Sequence, residues 1–383
     1  MRVLLRTPGA AEAAILLEQG RRPAPLWTAR QIGHWMYEPL ATEDRVYVGC
    51  GDELQSYRAD GTLEWSKPSG LVIRRPALSR DRATLYVGTS ESDLVAFGLD
   101  GTERWRVRKG YGSVGAPTVG PDGSIYVGGT ANSVWKLGPG GEELWPEPYS
   151  TRGGVQAAPV LDSQSRLFVG DLFGTLHAIG PDGKKLWSVD THEPFEGSVA
   201  LGLDGSVVMS RWRSLSALDP ATGASRWEVE APCARNAGPA VDSDGTIYIG
   251  CTDGTLRAFS PEGKPLWSVG GAECFVTTPK LGDDGTIVVR DWRRRLWTFD
   301  RSGALLWTQE CPKPDTAAIE TDPAVGPGGR VYSGNQDGTL SAFRTLTIAE
   351  QLERIQRERE ANRIVIEDGA VRIGHVRVPR RRG

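Results

Sequence analysis

Tryptophan recurs in this chain with a period that leaves few folds open. Trp27, Trp65, Trp105, Trp145, Trp187, Trp227, Trp267 and Trp307 are separated by 38, 40, 40, 42, 40, 40 and 40 residues. The stretches between them repeat as well. From Pro239 the chain runs P-A-V-D-S-D-G-T-I-Y-I-G-C-T-D-G-T-L-R-A-F-S-P-E-G-K-P-L-W, ending at Trp267; from Pro117, P-T-V-G-P-D-G-S-I-Y-V-G opens a unit that ends at Trp145. A period of about 40 residues marks one supersecondary unit, which buries its apolar faces only against its neighbours.

Each unit divides into four short strands. The first follows the Pro. An Asp-Gly turn (Asp122-Gly123, Asp204-Gly205, Asp244-Gly245, Asp284-Gly285) leads to the second, the I-Y-V-G segment. A second turn, such as Phe173-Gly174, Asp253-Gly254 or Asp337-Gly338, leads to the third. A third turn (Asp60-Gly61, Asp100-Gly101, Asp182-Gly183, Glu262-Gly263) leads to the fourth, which carries the Trp. Asp-Gly between apolar runs is a hairpin signal, because tight hairpin turns need the positive φ that glycine adopts without penalty. With 48 Gly and thirteen Trp against three Met, the composition suits short strands and tight turns better than helices. The predicted fold is all-β: an eight-bladed β-propeller of four-stranded antiparallel blades. Seven units lie between Trp27 and Trp307, and an eighth stops at Phe343 without a fourth strand. The missing strand is present at the other end, as Ala24-Pro25-Leu26-Trp27, so an N-terminal strand is expected to complete the last blade and close the ring.

Three regions follow: an extension over 1–21 (a short strand and a helix), the propeller over 22–344, and a short α/β tail over 345–383. In the tail, Thr347-Ile348-Ala349-Glu350 has the form of a capping box opening a helix to about Ala361. Residues 363–378, with the turn Asp368-Gly369, predict a hairpin that must dock, since an isolated hairpin is marginal in water. From Arg344 onward there are ten Arg against six acidic residues, so the tail is basic and the ring acidic.

The formal charge of −3 gives no global reason to expect nucleic acid or anionic lipid as partner, and no apolar run approaches a spanning helix. The five cysteines, Cys50, Cys233, Cys251, Cys274 and Cys311, include no C-x-x-C pair and are expected to be free thiols. The apolar stretch Ala13 to Leu17 is bracketed by Glu12 and Glu18, unlike a secretory signal, and the expected compartment is the cytoplasm.

The unit resembles the PQQ-like β-propeller family, whose blades share a tryptophan-docking motif near A-x-D-x-x-T-G-x-x-x-W. Here the match is Ala217-Leu218-Asp219-Pro220-Ala221-Thr222-Gly223-Ala224-Ser225-Arg226-Trp227. The resemblance implies that the eight periodic Trp are structural, packing between neighbouring blades. It also implies one of two functional classes: quinoprotein dehydrogenases, or cofactor-free scaffolds that hold protein partners. Quinoprotein alcohol dehydrogenases carry a vicinal Cys pair and a pocket roof, which this chain lacks, so the cofactor-free scaffold branch is expected, with no catalytic residue, cofactor or metal assigned.

Two sets of residues are candidates for binding. Loops entering the first strands reach the channel mouth, where Gln156, Glu196, Asn236 and Glu320 would serve the alternative reading, a quinoprotein-type oxidoreductase or a propeller binding a small ligand or Ca²⁺ in its central channel. The second set breaks the repeat. The turn between strands two and three becomes Ser210-Arg211-Trp212-Arg213-Ser214 in blade five and Arg290-Asp291-Trp292-Arg293-Arg294-Arg295 in blade seven. In an up-and-down blade these turns share a face with Arg74-Arg75, Arg235-Asn236 and His34-Trp35. Arg beside Trp suits recognition of a protein surface. The expectation is a non-catalytic scaffold or sensor subunit that presents Arg74, Arg75, Arg211, Trp212, Arg213, Trp292, Arg293, Arg294 and Arg295, its tail, or both, to protein partners, with neither a membrane nor nucleic acid as the expected target.

Overall fold

The computed structural model describes residues 25–31, 36–72, 74–193, 195, 197–233, 237–311, 321–335 and 337–344, together with the backbone of three strands between 364 and 378. The chain forms eight four-stranded antiparallel sheets, each of consecutive strands in chain order except the last. Blade 1, for example, is Leu40–Ala41, Arg45–Cys50, Glu53–Arg58 and Leu63–Pro68. Blade 8 pairs Ala324–Gly326, Arg330–Gly334 and Thr339–Arg344 with the N-terminal strand Trp27–Arg30, in the register Trp27 opposite Ala342 and Arg30 opposite Thr339. The ring is closed as the split repeat requires.

The first strand of each blade is short and lines the axis; the second and third are buried on both faces and carry continuous apolar runs such as Ile125–Gly129. The fourth is the rim, with alternating burial, as in Glu103–Arg108. The core lies between blades rather than within them: Tyr47 and Leu54 of blade 1 pack with Leu85, Val87, Val95 and Phe97 of blade 2, and the same pairing recurs around the ring.

The periodic Trp make this packing directional. Trp187 donates its indole N–H to the Pro220 carbonyl in the next blade at 3.1 Å, and Trp27, Trp65, Trp105, Trp145, Trp227 and Trp267 make the matching bond at 2.8–3.1 Å. Beneath each ring sits the glycine of the turn between strands three and four. At Gly223, φ is +73° and a Cβ would lie 2.8 Å from the Trp187 ring. That turn therefore needs glycine twice, for its left-handed backbone and for contact with the indole.

Blade 3 departs from the pattern. Its rim strand is only Tyr149–Ser150, and Trp145 precedes it instead of lying within it. Two extra residues follow Trp145, the source of the 42-residue interval, and Pro146 and Pro148 cannot donate to the ladder. The tail departs too. In place of one hairpin there are three antiparallel strands, Ile364–Glu367, Ala370–Ile373 and Val376–Val378, because the long second strand ends at Ile373, which pairs with Val376. The expected N-terminal extension and tail helix lie outside the described residues.

Candidate functional site

One face of the ring is built from the turns between strands two and three and the loops that enter the first strands. Hydrogen bonds join the two sets. Leu172 N donates to Gly154 O at 3.0 Å, Trp292 N to Cys274 O at 2.8 Å, and Trp212 N to the Glu193 carboxylate at 2.6 Å. On these braced tips stand four exposed aromatic side chains, Tyr111, Phe173, Trp212 and Trp292, which are 89, 70, 49 and 66 % accessible. Away from this face, the exposed large apolar residues among the described residues are aliphatic: Leu203 in the turn between strands one and two of blade 5, and Leu26, Leu63, Leu144, Leu186 and Leu266 on or beside the rim strands.

The arginines of this face divide by their partners. Arg211 pairs with Glu228, beside Arg213, which is exposed; Glu193 and Glu230 complete the walls of that groove. Arg293 pairs with Glu273, which holds the Glu273 carboxyl below its usual range. Arg295 belongs to the turn itself: its Nε lies 2.8 Å from the buried Asp291 carboxylate and its guanidinium stacks 5.1 Å from the Trp297 ring centre. Asp291 also accepts from Arg295 N at 2.8 Å and Trp297 Nε1 at 2.9 Å, so its carboxylate is occupied in holding the tip that presents Trp292. Arg294 has φ of +65°, and its N–H donates to Asp291 O at 2.8 Å.

The channel opens on this face. Its cavity of about 880 Å³ is lined by residues in, or just ahead of, the first strands of all eight blades and, at the mouth, by Trp292. Arg74 reaches across from blade 2 to donate to Gln156 Oε1 of blade 4 at 2.9 Å. The two candidate sets therefore converge, with Gln156, Arg74, Arg75 and Trp292 lining one cavity. Deeper, Lys280 of blade 7 lies 3.3 Å from Glu38 of blade 1 and 2.7 Å from Asp322 of blade 8. Burial alone would lower the Lys280 pKa; Asp322 and Glu38 outweigh it and hold the ammonium above its ordinary value. Glu196, Asn236 and Glu320, with Arg235, His34 and Trp35, lie outside the described residues. Among the described residues, no three His, Cys, Asp or Glu side chains converge to hold a metal ion.

One constellation escaped the sequence. His177 Nε2 donates to the buried Asp171 carboxylate at 3.1 Å, and its Nδ1 lies 3.0 Å from Tyr149 Oη, whose pKa is raised by burial and by Asp171. Asp171 also accepts from the amides of Phe173 (3.0 Å) and Thr175 (2.9 Å). Asp171–His177 thus repeats Asp291–Trp297: a carboxylate fixing a turn, bonded to the side chain six residues on. That six-residue interval was the available signal. The chain of bonds braces the tip carrying Phe173, just as its counterpart braces Trp292.

Comparison with known proteins agrees with this architecture. The family model described as "Outer membrane protein assembly factor BamB" matches residues 20–153, 130–211 and 211–373. Among solved structures, BamB from Moraxella catarrhalis superposes with a TM-score of 0.63 at 20 % identity, over 84 % of this chain and 97 % of that one. The computationally designed Ika8 protein superposes with a TM-score of 0.68 at 14 % identity, over 84 % and 99 %. At such identities the likeness concerns fold alone. A curated relative, the uncharacterized protein YxaL of Bacillus subtilis (strain 168), is 32 % identical over 63 residues, 16 % of this chain and 15 % of its own length.

Proposed function

Because this chain belongs to the BamB-like family of PQQ-repeat propellers, we propose that it is a non-catalytic scaffold or sensor subunit whose aromatic and arginine-bearing face holds protein partners in a larger assembly. One observation carries the reading. The exposed aromatic rings, Tyr111, Phe173, Trp212 and Trp292, all stand on braced loops of a single face. Large aromatic side chains and Arg are the residue types that dominate interface energetics when a partner excludes water from them. The backbone that carries Phe173 and Trp292 is already fixed by the Asp171 and Asp291 turns, and Trp212 N is held by Glu193, so association spends little entropy on ordering these three.

The test uses tagged full-length protein and its native cell extract, with crosslinking and mass spectrometry of the captured partners. Trp212→Ala combined with Trp292→Ala is expected to lose stoichiometric capture with Tm nearly unchanged, since both rings face solvent. Leu203→Ala, on the other face, is expected to retain it. Capture that survives the double substitution, or is lost with Leu203→Ala alone, would overturn the assignment of the face.

A further inference from the structure

In several blades the loop entering the first strand forms a one-residue antiparallel bridge with the end of strand two. The bridged pairs are Met36 and Cys50, Val114 and Gly129, Phe275 and Asp291, and, in blade 6, Cys233 and Cys251. Blade 6 alone among these pairs carries a thiol on both sides; in the Met36 and Cys50 pair one sulfur is an unreactive thioether. We propose that Cys233 and Cys251 are a cross-strand redox pair, which a disulfide-donating oxidant of the glutathione class converts to an intramolecular disulfide.

The backbone hydrogen bonds define the geometry. Cys233 N donates to Ala231 O at 2.8 Å and Cys251 N to Thr255 O at 2.9 Å, so the two residues exchange no bond with each other. Instead Thr252 N donates to Pro232 O at 2.7 Å, one step outside the pair. This is the narrow, non-hydrogen-bonded type of antiparallel pair, whose Cα atoms lie about 4.5 Å apart, within the roughly 4.4–6.8 Å that a disulfide spans. Residues directly opposite on antiparallel strands point to the same side, and both cysteines lie in one core cluster between blades 5 and 6, fully buried. Both are free thiols in the structure. Cys233 Sγ now lies 3.7 Å from Ser214 O and Cys251 Sγ 4.0 Å from Ile249 O, so both side chains must turn from these carbonyls toward each other to bond.

The chemistry is two exchange steps. One cysteine, as thiolate, attacks the oxidant's disulfide, displacing one glutathione thiolate and forming a mixed disulfide. The second cysteine attacks that sulfur, displaces the other glutathione, and closes the Cys233–Cys251 bond. The two protons lost by the cysteines are taken up by the two glutathione thiols released. Burial pushes both thiols up, Cys251 to about 11, so exchange requires the loop after Ala231 to open. Once closed, the bond would fasten that loop, whose residue Ala231 donates to Arg213 O at 2.9 Å beside Trp212, to the blade behind it.

The experiment equilibrates the full-length folded protein in glutathione redox buffers of increasing oxidising ratio. Free thiols are then blocked with iodoacetamide and unreduced peptides are mapped by mass spectrometry. The expected result is a linked pair of peptides containing Cys233 and Cys251, lighter by two hydrogens, while Cys50 and Cys311 remain alkylated. The oxidised protein should melt a few degrees higher than the reduced one, and the difference should vanish in Cys251→Ser. Alkylation of both cysteines at every ratio would overturn the proposal. So would glutathione adducts or links to Cys274 in place of the pair.

Discussion

Seven blade junctions and the eighth solve the same packing problem with different means. From Trp27 to Trp267, each indole lies on the glycine of the next blade's turn between strands three and four and donates to a carbonyl there. Trp307, on the rim of blade 7, faces blade 8, where no such turn exists: strand three ends at Arg344 and strand four is the N-terminal segment from Trp27. Trp307 is as buried as any indole in the ring, 2 % accessible, packed 5.8 Å from the Phe343 ring, yet its Nε1 has no hydrogen-bond partner among the described residues. Its neighbour Leu306 is 6 % accessible where the equivalent Leu266 is 54 %. The split that lets one chain close a ring thus exchanges a polar dock for an apolar one.

The largest expected effect tests what the two kinds of junction share. Trp187→Ala and Trp307→Ala should each cost about 3–5 kcal/mol, read as a lower urea midpoint, because both remove a buried indole. A Trp307→Ala loss far below that of Trp187→Ala would show that the hydrogen bond, rather than the buried area, carries the dock.

Next comes the glycine beneath the ring. Gly205 has φ of +77° and open space where a Cβ would lie, so Gly205→Ala should cost only about 1 kcal/mol of backbone strain. Gly223 has the same backbone sign with the Trp187 ring 2.8 Å from that position, so Gly223→Ala should cost about 2–4 kcal/mol. Equal losses at the two sites would mean that the indole shifts freely and that the junction is softer than its geometry implies.

What the sequence made legible follows from what repeats. The Trp period set the blade number and the missing fourth strand set the closure, whereas the 42-residue interval carried no reading until the structure showed the distorted rim of blade 3. Contacts that only the closed ring creates left no such trace. Arg74 and Gln156 are 82 residues apart, and Lys280 and Glu38 are 242 apart. Nothing in a local pattern tells which inner strands face one another across an axis. The Arg-Trp turns were visible because they break the repeat, but their division into paired Arg211 and Arg293 and turn-bound Arg295 depends on acids from other strands. His177 was passed over because its partners Asp171 and Tyr149 belong to two different blades.

Inside the channel, Lys280 offers the eighth junction a second fastening, since it joins blade 7 to blades 8 and 1. Lys280→Met would leave Glu38 and Asp322 facing each other and should cost about 1–3 kcal/mol, moderated by partial exposure of the site. The pH dependence has a definite sign. The folded pKa is raised, so the contribution is complete below the unfolded value of about 10.4 and is lost as pH rises through the folded one. The stability gap between wild type and Lys280→Met should therefore stay constant through neutral pH and shrink only in alkali. A gap that already closes between pH 6 and pH 8 would assign it to another group.

The smallest effect discriminates best between the two kinds of junction. Trp→Phe keeps an aromatic ring but removes the N–H. At Trp187 the substitution loses one hydrogen bond and leaves the Pro220 carbonyl without its donor; at Trp307 it deletes a buried N–H that has no partner among the described residues, which relieves a penalty. The loss of ring area is common to both, so it cancels in the difference. Trp307→Phe should accordingly be less destabilising than Trp187→Phe by about 1–2 kcal/mol. The same comparison with Trp27→Phe, whose indole donates to Ala59 O at 2.8 Å on the far side of blade 8, should group Trp27 with Trp187. If Trp307→Phe proved as costly as the other two, its N–H would have an acceptor in solution, and the closing junction would be docked like the rest.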